Sequence, residues 1–122
     1  MTASNHAAIL LAAVLSLASA PAFAHAHLKA ATPLPNGSVA AALELTLTFS
    51  EGVNPTFTGA TLTGPGKAAV ATGKAKLRAG DDTTLIVPVA APLATGSYEV
   101  TWHALATDGH KTSGSYGFTV AP

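Results

Sequence analysis

Few side chains in this sequence can do chemistry, and histidine leads them. There are five histidines, six Asp or Glu and no cysteine. Without thiolates no disulfide can form, and any metal ion would have to be held by nitrogen and oxygen. His25 and His27 flank one alanine at the end of an apolar leader that also contains His6. His110 stands in Thr107-Asp108-Gly109-His110-Lys111, a turn-like loop, and His103 is alone on the polar face of an alternating stretch. A histidine at a free chain end is a chelating unit in one residue. Its α-amine and Nδ1 can close a ring on one ion, and an amine pKa of about 8 lets a strong Lewis acid displace the proton near neutrality. A third nitrogen from another imidazole completes a T-shaped set. Such a set suits Cu(II), which favours tetragonal N/O surroundings and binds most strongly in the divalent series. Asp108 and His110, two apart, would project to one side of an extended loop and offer the same ion an oxygen and an imidazole. Zn(II) would tolerate the same donors. The plainer readings are a solvated terminal histidine, an Asp-Gly turn, and a surface histidine at position 103.

Whether such a terminus exists depends on the leader. Ala7 to Ala20 is a run of apolar and small residues. It is too short to span a bilayer, which takes roughly 20 residues, and it fits the hydrophobic stretch of a secretory signal. Pro21 ends the run, and Ala22-Phe23-Ala24 supplies a small-x-small cleavage pattern, although no Lys or Arg precedes the run. Cleavage after Ala24 leaves His25 first. Ala24-His25-Ala26 has the same form and would leave His27 first. Residues 1–24 are expected to be removed, leaving 25–122 as one exported domain that is not membrane-embedded.

The elements that must position these residues read as strands. Leu43, Leu45, Leu47 and Phe49 alternate with Glu44, Thr46, Thr48 and Ser50, predicting a strand with the apolar set inward. Tyr98, Val100 and Trp102 alternate with Glu99, Thr101 and His103. Tyr116, Phe118 and Val120 alternate with Ser115, Gly117 and Thr119. Weaker strands fit near 26–31, 58–63, 68–72 and 83–87, with turns at Pro33–Gly37, Gly64–Gly66, Gly80–Asp82 and Ala94–Gly96. About seven short strands predict an all-β, antiparallel two-sheet sandwich of Greek-key type. Trp102, Phe49, Phe118 and Tyr98 are its core candidates. The formal net charge of zero argues against a nucleic-acid partner, which needs a basic patch.

Four stretches carry a family resemblance: HAHLKAATP from His25, LTLTFSEGV from Leu45, PLATGSYEVTWHALATDGHKTSG from Pro92, and YGFTV from Tyr116. In order and spacing they resemble the CopC family of periplasmic copper-resistance proteins over nearly the whole mature chain. The resemblance implies an immunoglobulin-like or cupredoxin-like sandwich in the periplasm, a monomer binding one Cu(II). It implies ligation by the amine and imidazole of His25 with Asp108 and His110, and it favours cleavage before His25. His27 matches a second histidine in some members and is a further ligand or a neighbour. Some members hold Cu(I) in a methionine-rich loop. The one methionine here is Met1, so no such site is expected. For Glu51 the resemblance suggests a place near the metal, orienting an imidazole; an exposed turn carboxylate is the alternative.

The function expected is a copper carrier or buffer, with an inner-membrane copper transporter of the CopD type as partner. A histidine-brace monooxygenase is the enzymatic alternative. Against it stand the anionic Asp108, which competes for an open coordination position, and the small number of aromatics outside the core. A metal-free interaction domain is the third possibility, and it would ignore Cu(II).

Overall fold

The computed structural model describes residues 26–122. The proposed leader, His6 and His25 lie outside the described residues.

The strands form where alternation is strongest. Leu45, Leu47 and Phe49 are buried on β3 (Glu44–Phe49), and Leu85 and Val87 on β7 (Thr84–Pro88). Tyr98, Val100, Trp102 and Ala104 are buried on β8 (Gly96–Leu105), between exposed Glu99, Thr101 and His103. β9 (Lys111–Val120) closes a long hairpin with β8, pairing Leu105 with Lys111 and Gly96 with Val120.

Five further strands complete two sheets: β1 (Leu28–Thr32), β2 (Ser38–Val39), β4 (Gly59–Thr63), β5 (Ala69–Val70) and β6 (Lys76–Leu77). One sheet has the order β1-β3-β7-β6, the other β2-β9-β8-β4-β5, antiparallel throughout except for β2 against β9. This is the expected Greek-key sandwich. Its apolar faces meet in one core, where Phe49 from one sheet lies edge-on to Trp102 from the other at 5.4 Å between ring centres. Tyr98 and Phe118 stack at 5.5 Å.

The structure refines the sequence reading in detail and corrects it at Leu43. Among the described residues nine strands stand where about seven were expected; the two additions, β2 and β6, have two residues each and are too short to show a period. Leu43 is 76% exposed rather than inward. The buried residue there is Ala42, so the chain breaks step just before β3 begins and carries Leu43 out of the pleat. β1 reads weakly because its register against β3 slips between Leu28 and Ala30, leaving Lys29 and Ala30 both exposed.

Candidate metal centre

Asp108 and His110 sit on the loop joining β8 to β9. The loop is a tight turn, not the extended segment expected from sequence. Gly109 N–H donates to the Ala106 carbonyl at 2.9 Å, and Gly109 adopts φ +95°, a conformation glycine takes without a side-chain clash. Asp108 Oδ1 accepts the His110 N–H at 3.0 Å, the local bond typical of aspartate in a turn. The same oxygen lies 3.2 Å from His110 Nδ1. The carboxylate and imidazole therefore converge, but through turn geometry. Both reach solvent, with side-chain exposures of 33% for Asp108 and 57% for His110.

The loop is held from below. Ala106 N–H donates to the His110 carbonyl at 2.9 Å, and Thr107 N–H to the Gly52 carbonyl at 3.0 Å. Val53 and Ala106, both buried, form an isolated antiparallel bridge. The segment after β3 thus serves as a shelf for the Asp108–His110 turn. Glu51 stands in this segment, half-buried.

The N-terminal arm arrives at the same place. Ser50 N–H donates to the His27 carbonyl at 2.8 Å, and His27 N–H donates to Ser50 Oγ at 2.9 Å. Ala26 is fully buried in the core, and its carbonyl accepts a 2.8 Å hydrogen bond from Thr112 Oγ1. Ser50 is two residues from Gly52, and Thr112 two from His110, so both anchors of the arm adjoin the loop.

The structure accordingly brings Asp108 and His110 together and leads the Ala26–His27 segment to their side. Among the described residues no three of His, Cys, Asp or Glu gather as a metal would require. His27 is exposed, opposite in sense to inward-facing Ala26. His103 lies on the outer face of its sheet, as expected. Sequence reading missed Ser50, Ala26 and Thr112. Only Thr112 left a sign, as its position matches the inward parity of Tyr116 and Phe118.

An imidazole nitrogen and a carboxylate oxygen on a preformed turn fit Cu(II) or Zn(II) chemistry and include no sulfur donor of the kind that selects a soft ion. Comparison with known proteins narrows the family. The CopC domain matches residues 28–121, from the first residue of β1 to the residue after β9.

The chain belongs to the CopC family. Protein YobA of Escherichia coli strain K12 is 46% identical over 106 residues, covering 86% of each chain. Copper resistance protein C of Xanthomonas campestris pv. juglandis is 36% identical over 110 residues, covering 86% of this chain and 87% of its own. Among solved structures, PcoC of E. coli, a methionine-rich copper resistance protein, matches with a TM-score of 0.74 at 34% identity, covering 80% of this chain and all of its own. CopC of Methylosinus trichosporium OB3b matches equally in TM-score, 0.74, at 32% identity, covering 80% and 95%. These CopC-family neighbours share the sandwich described above.

Proposed function

We propose that this protein acts in copper resistance as an exported, periplasmic Cu(II) carrier or buffer, with one Cu(II) per chain. The ligands on this reading are the α-amine and imidazole of His25, with Asp108 and His110. The observation that carries it is the pair at 3.2 Å on a turn whose shelf also holds the arm leading back to residue 25. Bound Cu(II) would take neutral nitrogens and an anionic oxygen in a tetragonal arrangement.

Burial of Ala26 supports removal of residues 1–24 rather than 1–26. A chain beginning at His27 would lack a residue that fills the core and would leave Thr112 without its acceptor. His27, anchored through its own main chain, is read as a neighbour of the metal. The neighbour PcoC is described as methionine-rich, whereas this sequence has Met1 alone, so we assign no thioether Cu(I) site. Three of the relatives are named copper resistance protein C, and Asp108 would occupy a position that oxygen activation needs open. The partner on this reading is an inner-membrane copper transporter of the CopD type, served by a monomer.

Intact mass of the exported protein, followed by electron paramagnetic resonance with one equivalent of Cu(II), tests the reading. The expected results are a chain starting at His25 and an axial spectrum that His110→Ala abolishes. Undiminished affinity after adding one residue ahead of His25 would remove the amine from the ligand set.

A further inference from the structure

A surface lined by cations and by no carboxylate lies beside the Asp108–His110 loop. A groove of about 650 Å3 runs between β4 and β6 and joins a smaller depression of about 310 Å3, with Thr56 and His103 lining both. Lys74 and Lys76 line the first and Lys111 the second, so three of the six cationic side chains gather here, and no carboxylate lines either. Phe57, 59% exposed, supplies an aromatic on the rim, and Leu77 and Val87 an apolar floor. Leu105 and Thr112 in the smaller depression flank the Asp108–His110 turn.

Main chain is on offer as well. β4 pairs with β8 along Gly59–Thr63, but β5 covers only Leu62 and Thr63 on the other side. Among the described strands, the Gly59–Thr61 half of β4 is therefore a sheet edge, a template for one more strand. His103 leans over this half. A Cβ placed on Gly59 would lie 3.2 Å from its Cε1, so the glycine lets the ring approach the strand closely.

We propose that this groove docks an extended, carboxylate-rich segment of a partner protein, laid along the open half of β4. An extended segment would satisfy the edge, and alternate side chains would fall on the apolar floor and on the lysines. Charge complementarity of this kind speeds encounter and fixes register. A nucleic acid is the weaker fit, because three cations and one exposed aromatic make a short footprint for a phosphate chain.

The test is a titration of metal-free mature protein with a synthetic peptide alternating Glu and Val, followed by amide NMR. Resonances of Phe57, Gly59–Thr61 and His103 should move, the affinity should fall about tenfold or more in Lys74→Glu/Lys76→Glu, and added salt should weaken it. Both lysines are exposed, so the variant should fold, and an unchanged circular dichroism spectrum verifies this. The proposal is overturned by an absence of shifts, by equal binding of a Lys–Val peptide, by equal binding to the double variant, or by equal capture of a DNA oligonucleotide. The assay contains no copper, so its failure leaves the Cu(II) reading standing, and loss of the Cu(II) reading leaves this one intact.

Discussion

Thr112 Oγ1 donates to the Ala26 carbonyl at 2.8 Å across 86 positions of sequence, tying the segment before β1 to the second residue of the final strand. Thr112→Val keeps the shape and removes the donor, leaving a carbonyl of a fully buried residue unsatisfied. The metal-free protein should lose roughly 1–3 kcal/mol. Cu(II) affinity should fall about 10–100-fold, the usual loss when a group orienting a ligand is removed. Competition titration checks this, and Thr112→Ser should restore both quantities. Native affinity in the Val variant would show that placement of the arm does not matter to the metal.

Gly114 faces Trp102 across the β8–β9 hairpin, and a Cβ there would come within 2.7 Å of Trp102 Cζ2. Gly114→Ala must push the indole out of its packing against Phe49, at a cost of roughly 1–3 kcal/mol. A lower melting temperature and an altered near-ultraviolet tryptophan signal are expected. An unchanged signal would mean the hairpin has slack that the geometry does not suggest.

Asp81 gathers three donors. The Thr83 hydroxyl at 2.6 Å and the Thr83 N–H at 2.9 Å meet Oδ1, and the Thr84 hydroxyl at 2.8 Å meets Oδ2. Chiefly through Thr83, these hold its pKa down at about 2, from 3.8. A carboxyl depressed on folding contributes stability in full above its unfolded value and loses it as the proton binds in the folded state. Asp81→Ala should therefore melt below the native protein at neutral pH, with the gap closing between pH 3.8 and about 2. A gap that persists through this window would trace the effect to packing instead.

Tyr116 buries its hydroxyl without a hydrogen-bond partner among the described residues, and burial alone pushes its pKa up to about 12 from 10.0. The raised value means its contribution is intact below pH 10 and is lost as the pH rises towards 12. Phenolate absorbance should show a late step that Tyr116→Phe removes. That substitution deletes an unpaired polar atom, so it should leave stability equal or higher. Measurable destabilisation would reveal a partner for the hydroxyl.

The parts legible in the sequence were those written as period. Leu45–Phe49 and Tyr98–Ala104 declare their inward faces, and Trp102 and Phe49 meet in the core as their alternation implies. Leu43 continued the same pattern yet points outward, because parity is blind to where a strand ends. The Asp108–His110 pair was legible as spacing, although the turn that joins them depends on Gly109 and a shelf more than fifty residues upstream, at Gly52. Ser50 and Thr112 were not legible as anchors. Their roles arise from long-range pairing, and the inward parity of Thr112, though visible, names no distant carbonyl.

The arm at Ala26 and His27 is fastened to both leaves of the sandwich, to Ser50 at the end of β3 and to Thr112 on β9. An ion gripped between residue 25 and the Asp108–His110 turn would bridge those leaves in a chain that has no cysteine to do so. Cargo and cross-link would then be the same atom. Loading would tighten the protein by mass action, and giving the ion away would return it to a looser form.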